Sequence, residues 1–160
     1  MTPFDSFRLT PIGYIKKEED KAHLEVLPQF APALLGLEGF THLWVLYWFH
    51  ENDRPAARAV LQVHPRRDPA NPLTGVFACR APVRPNPLGL TACRILKITG
   101  NLLEVAGLDA RDGSPIVDLK PYLPQGDSIP EAAAPEWVKR TWPPGKEAAA
   151  REEVGGAVWS

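Results

Sequence analysis

Six or seven short apolar runs at fairly regular spacing predict an all-β fold: a single compact β-barrel-like domain with a few short helices and a short C-terminal tail. Two further observations support it. The runs are rich in β-branched and aromatic residues, which suit a pleated surface, and strongly helix-forming composition is confined to the end of the chain. An α+β sandwich is the alternative architecture. The 160 residues suffice for one core and are short for two. The 18 prolines, about twice average usage, fall mostly between the runs and pre-set their turns.

Taken in order, "FRLTPIGYIK" (Phe7 to Lys16) reads as a first strand with Gly13 as a bulge or close-approach point. "KKEEDK" reads as a solvated turn. "AHLEVLPQF" alternates apolar and polar residues at Leu24, Val26 and Phe30 and reads as a second strand. "APALLGLEGF" predicts a short helix starting after Pro32 and ended by Gly36 or Gly39. "THLWVLYWFH" has no periodic polar face and reads as a central strand buried on both sides. "ENDRPAAR" breaks it, "AVLQVHP" restarts as a strand, and "RRDPANPLT" is a loop. "GVFACR", "GLTACRILKITG" and "NLLEVAGLDA" follow as strands, the last two joined by a turn at Gly100-Asn101. "RDGSP" is turn chemistry and "IVDLKPYLP" the final strand. Residues 1–127 thus form the barrel domain and 128–160 a helical or irregular tail. In that tail "SIPEAAAPEWVKRTW" offers a short helix with Pro135 as a second start, "KEAAAREEV" is strongly helix-forming, and "GGAVWS" is a frayed end.

Composition excludes several classes. The formal charge of −1 provides no global basic field, so nucleic-acid binding would need a local patch. Arg54, Arg58, Arg66, Arg67, Arg80, Arg84 and Arg94 are the residues available for one. Cys79 and Cys93 lack metal-type spacing and read as reduced structural thiols in strands. No signal-peptide pattern, membrane-length apolar run or zinc-type cluster is present, so a cytoplasmic chain with no membrane association and no metal is expected. Nucleophile elbows, phosphate-cradling glycine loops and dinucleotide fingerprints are also missing.

The stretch "GVFACRAPVRPNPLGLT" carries the strongest chemical signal. Pro82, Pro85 and Pro87 fix their own φ and hold Val83, Arg84 and Asn86 extended. Such a segment loses little entropy on meeting a ligand. Arg80 and Arg84 offer forked donors for carboxylate or phosphate, Asn86 an amide, and Gly89 a point of close approach. The competing reading is a rigid surface crossover whose arginines pair with nearby acids. Two further stretches join it. "DARDGSPIVD" presents Asp109, Asp112 and Asp118 around a turn, with Lys120 and Tyr122 following, for an amine or a ribose diol. "YWFHEND" ends a strand at Phe49 and His50. Taken alone, a hairpin turn with capping aspartates and a hydrogen-bonded histidine are the better readings of these two.

"GLEGFTHLWVLYWFH", "GVFACRAPVRPNPLGLT" and "GLDARDGSPIVDLKPYLP" resemble the three signature blocks of the TsaA-like, or TrmO, family, in the family's order. The resemblance implies a β-barrel methyltransferase that uses S-adenosylmethionine, works as a homodimer with the cofactor near the subunit boundary, and methylates the exocyclic nitrogen of threonylcarbamoyl-adenosine beside the tRNA anticodon. It places cofactor contacts on Phe49, His50, Arg80, Leu90 and the turn Asp109, Ala110, Arg111 and Asp112. Substrate contacts fall on Arg84, Asn86, Lys120 and Tyr122, with His50 and Asp118 as candidate acid–base groups. Family members usually carry a longer, Pro-Arg-Gln-type loop after the first strand, and larger members a second C-terminal domain. Here "IKKEEDKAHLEVLPQF" runs almost directly into the next strand. Two other functions remain open on sequence grounds: a non-catalytic module that binds the same cofactor, and a methyltransferase acting on a metabolite.

Overall fold

The computed structural model describes residues 5–19 and 21–141. In chain order the strands are β1 (Gly13–Glu18), β2 (Lys21–Val26), β3 (His42–Trp48), β4 (Gln62–Val63), β5 (Thr74–Gly75), β6 (Leu88–Thr99), β7 (Leu102–Ala106) and β8 (Pro115–Pro121). Six of them close an antiparallel barrel in the order β1-β2-β7-β6-β3-β8, and β4 and β5 pair as a separate ribbon. The expected β-barrel with few helices is what the chain forms. Among the described residues its helices are short, α1 (Pro55–Arg58), α2 (Pro124–Asp127) and α3 (Glu136–Thr141), with 3-10 turns between strands.

Period-two alternation explains the barrel. Ile15, Leu24, Leu43, Val45, Leu103, Val105 and Ile116 point inward and are almost wholly buried, each stabilising the fold by about 2 kcal/mol relative to exposure. β6 is long enough to serve two partners. Its first half lies on β3 and its second on β7, with a register shift between Ile95 and Lys97 that bends the strand around the barrel. Gly100, at φ 60°, makes the expected β6–β7 turn with Asn101, whose side chain donates to the carbonyl of Val26. Gly13 is the expected close-approach point, since a Cβ there would run into the carbonyl oxygen of Glu25.

Several expectations are corrected. The first strand starts at Gly13 rather than Phe7, because Pro11 supplies no N–H to a ladder. The helix expected after Pro32 is instead a pair of 3-10 turns, Pro28–Leu34 and Leu37–Gly39, with prolines at its start and interior. β3 is not buried on both sides. Its Leu43, Val45 and Tyr47 face the core, while Trp44, Leu46 and Trp48 lie half-exposed on the outer wall, as a single closed layer requires. "AVLQVHP" yields only two strand residues before Pro65. "GVFACR" yields Thr74–Gly75 and then the 3-10 turn Val76–Ala78, so Cys79 is not in a strand. Both cysteines are free. The helix begun by Pro135 is α3, whereas the expected helix in "KEAAAREEV" and the frayed terminus lie outside the described residues. β1 and β2 pair as far as Glu18 with Lys21, so the connection after the first strand is a tight hairpin. Among the described residues no helix is long and apolar enough to cross a membrane.

Candidate active site

Three segments converge at one end of β3. The strand runs out at Phe49, whose N–H donates to the carbonyl of Pro87 at 2.7 Å, so the proline-rich loop is tied to the strand end. Gly89 then passes so close that a Cβ would lie 2.5 Å from the Tyr47 ring and 3.0 Å from Phe49. This is why glycine is needed there. Tyr47 and Phe49 pack edge to face at 5.4 Å, a favoured aromatic geometry. From the third segment, the β7–β8 connection, Asp109 accepts hydrogen bonds from the Tyr47 hydroxyl at 2.9 Å and from Thr91 Oγ1 at 2.8 Å. Arg111 pairs with Glu51 at 2.9 Å, joining the same connection to the turn after β3.

Within this frame the expected cofactor residues Phe49, His50, Leu90, Asp109, Ala110, Arg111 and Asp112 come from three distant parts of the sequence to one end of the barrel. Ala110 is buried, and Leu90 is 50% exposed on the outer wall opposite Leu46. Asp112 accepts the backbone N–H of Lys17 at 2.9 Å. The side chains of His50 and Arg80 carry no hydrogen bond or ion pair among the described residues, so an exposed guanidinium stands at the loop.

Arg84 and Asn86, expected to meet substrate, are engaged inside the loop. Arg84 donates to the carbonyls of Val76 (2.5 Å), Ala81 (3.0 Å) and Cys79 (3.3 Å). Its planar fork thereby fixes the loop from within. Asn86 accepts from Arg58 Nη2 at 3.4 Å, while Arg58 Nε donates to the Pro85 carbonyl and Nη1 pairs with Asp53. The competing expectation, arginines paired with acids, holds for Arg58 and Arg111 but not for Arg80 or Arg84.

Asp118, Lys120 and Tyr122 run along and just past β8, Asp118 level with Leu46 and Leu90 and the other two progressively farther from Phe49. Asp118 lies beside Leu46 and pairs with Lys120 at 3.1 Å, and Lys120 lies beside Trp44. Tyr122 packs on Trp44 and His42 at the opposite end of β3. Six to seven strand residues separate that end from Phe49 and His50, roughly 20 Å at the usual rise. Within one chain, Lys120 and Tyr122 therefore do not meet His50.

Sequence reasoning missed three residues of the frame. Lys17, in the charge run expected to be a solvated turn, is half-buried and donates its ammonium to the carbonyl of Leu108. Burial lowers its pKa, and Asp109 opposes the shift. Tyr47 and Thr91 read only as strand residues. Burial, followed by the Asp109 charge, pushes the Tyr47 phenol well above its ordinary range, so it stays a protonated donor at neutral pH. Alternation put Tyr47 on the inner face, where a hydroxyl needs a polar partner; that was the available signal.

A small closed barrel with a proline-stiffened, arginine-bearing loop clamped across one strand end defines the class of protein. The family model for the tRNA-methyltransferase O N-terminal domain matches residues 1–128, and the chain belongs to that family. It is 43% identical over 117 residues to a probable S-adenosyl-L-methionine-binding protein of Pyrococcus horikoshii, covering 73% of this chain and 83% of the relative. A tRNA (adenine(37)-N6)-methyltransferase of Escherichia coli is 38% identical over 126 residues, covering 76% of this chain and 53% of that enzyme. The crystal structure of TrmO from Pseudomonas aeruginosa superposes with a TM-score of 0.66 at 29% identity, covering 86% of this chain and 64% of the solved one. The chain thus spans between about half and four-fifths of these relatives.

Proposed function

We propose that the protein is an S-adenosylmethionine-dependent methyltransferase acting on tRNA adenosine, specifically on the exocyclic nitrogen of threonylcarbamoyl-adenosine beside the anticodon, in the cytoplasm. The observation that carries this reading is Arg80, exposed and without a side-chain partner among the described residues, on a loop that Arg84 and Arg58 tie down near the end of β3. The residues present suit the cofactor's chemistry. A free guanidinium matches a carboxylate, the carboxylates of Asp109 and Asp112 match an amine or ribose hydroxyls, and Phe49 with exposed Leu90 offers apolar surface to a purine.

When bound, S-adenosylmethionine supplies a methyl group on a positively charged sulfur. This chain's residues have to hold and align it, and alignment alone can account for much of such a rate. The loop does so without moving, since Arg84 fixes its carbonyls and Phe49 anchors Pro87. The Tyr47–Asp109–Thr91 network holds the facing connection. His50, exposed and without a side-chain partner among the described residues, is the candidate to take the proton leaving the acceptor nitrogen. Asp118, which pairs with Lys120 at 3.1 Å, is the second candidate.

The same reading includes a homodimer. Lys120 and Tyr122 lie too far from His50 to share its cleft in one chain, and Leu88, Leu90 and Leu46 form an apolar row on the outer wall across which a second copy can pack. The test is transfer of labelled methyl groups from S-adenosylmethionine to tRNA carrying or lacking the threonylcarbamoyl group. Incorporation restricted to the modified tRNA, and lost with Arg80→Ala, is expected. Cofactor binding by calorimetry without transfer to any RNA would instead leave a non-catalytic binding module.

A further inference from the structure

Beside the cleft, the loop that joins β4 to β5 builds a second feature. Arg66 and Arg67 both adopt left-handed backbone, at φ 61° and 54°, which non-glycine residues adopt at a cost of about 1 kcal/mol or more. The loop is held in that shape from beneath. Asn71, 1% exposed, donates to the carbonyl of Pro65 at 2.9 Å, its own carbonyl accepts His64 Nδ1–H at 2.8 Å, and its Oδ1 accepts from Arg140 of α3 at 2.6 Å. Asp68, the nearest acid in sequence, turns its carboxylate to the N–H of Ala70 at 2.9 Å. Among the described residues no carboxylate pairs with Arg67, which lines an open pocket of about 370 Å³ together with Val63, His64, Pro69 and Val83.

The pocket is chemically two-sided. Arg67 and His64 form its polar edge, and Val63, Pro69 and Val83 its apolar wall. An inorganic anion would leave that wall unused. A nucleotide presents both a phosphate and a flat apolar face, and a volume of this size lies in the ordinary range for small-ligand sites. Val83 follows Arg80 in the same loop, one residue past Pro82, so a strand entering here lies next to the proposed methyl-transfer site. We infer that this pocket binds one unstacked nucleotide of the RNA substrate, its phosphate on Arg67 and its base or ribose against Val63, Pro69 and Val83. The inference rests on RNA being the substrate. It locates part of the local basic surface that a chain of net charge −1 requires.

The experiment measures binding of a synthetic anticodon stem-loop across a salt series, with cofactor calorimetry alongside. Arg67→Asn removes the charge with a residue that tolerates left-handed backbone, Arg67→Lys keeps the charge, and Val83→Glu places a carboxylate on the apolar wall. Arg67→Asn is expected to weaken RNA binding about tenfold regardless of loop sequence and to reduce the log–log salt slope by ~0.7. Arg67→Lys retains most of the affinity, Val83→Glu loses at least as much as Arg67→Asn, and cofactor affinity is unchanged in all three. Wild-type RNA affinity and salt slope in both Arg67→Asn and Val83→Glu would overturn the pocket while leaving the methyltransferase reading intact. A wild-type protein that binds the stem-loop through Arg67 yet transfers no methyl group would overturn the latter alone.

Discussion

Arg84 shows how a residue chosen by motif can act through the backbone instead of through a ligand. Its guanidinium reaches three carbonyls within eight residues of itself and is only partly accessible. Hydrogen bonds from a charged donor each contribute about 1.5–3 kcal/mol, and those from one group are not additive. Arg84→Ala is therefore expected to lower unfolding stability by about 2 kcal/mol, measured as a shift of the urea midpoint. Arg84→Lys should recover less than half, because an ammonium cannot reproduce a planar fork. Full stability with loss of methyl transfer would show instead that Arg84 serves the substrate. Arg80 shares the loop but not the entanglement, and the difference could not be read from "CRAPVR". Which of two arginines folds back depends on the turn Val76–Ala78, where the sequence suggested a strand.

At the scale of elements, α2 is fastened to the barrel by one carboxylate. Asp127 Oδ2 accepts the N–H of Leu123 at 2.9 Å and the indole N–H of Trp44 at 2.9 Å. The Leu123 N–H, then the Trp44 donor, hold its pKa below the ordinary carboxylate range. The unfolded chain thus binds a proton at higher pH than the folded one. The stabilisation is complete above the unfolded value and is lost as pH falls through the folded one. Thermal midpoints of wild type and Asp127→Asn should differ at neutral pH and converge in acid. A constant gap across pH would mean that the charge plays no part. Strands with strict alternation, such as β2 and β7, were legible because the pattern that makes them is local, and so was the Gly100-Asn101 turn. "AVLQVHP" and "GVFACR" were misleading because apolar content alone does not distinguish a ladder from a 3-10 turn. Lys17 was illegible for a different reason. Its burial comes from Leu108, 91 residues away, and no pattern around "KKEEDK" carries that contact.

For the whole molecule, one end of the barrel carries the proposed cofactor site and one wall is a candidate contact between copies, and both use β3 and β6. Leu90 is shared between them, being both an expected cofactor contact and part of the outer-wall row with exposed Leu88 and half-exposed Leu46. If the cofactor lies near the subunit boundary, its binding and dimerisation must be coupled, and the coupling is reciprocal for binding free energies. Saturating S-adenosylmethionine should then tighten the dimer by about fivefold or more per site. The same factor should appear as weaker cofactor binding when the protein is diluted below its dimer constant. Sedimentation velocity over a dilution series, with and without the cofactor, measures the first; calorimetry at two protein concentrations measures the second. A dimer constant indifferent to the cofactor would place the entire cleft within one chain, and Lys120 and Tyr122, at the far end of β3, would then have no part in it.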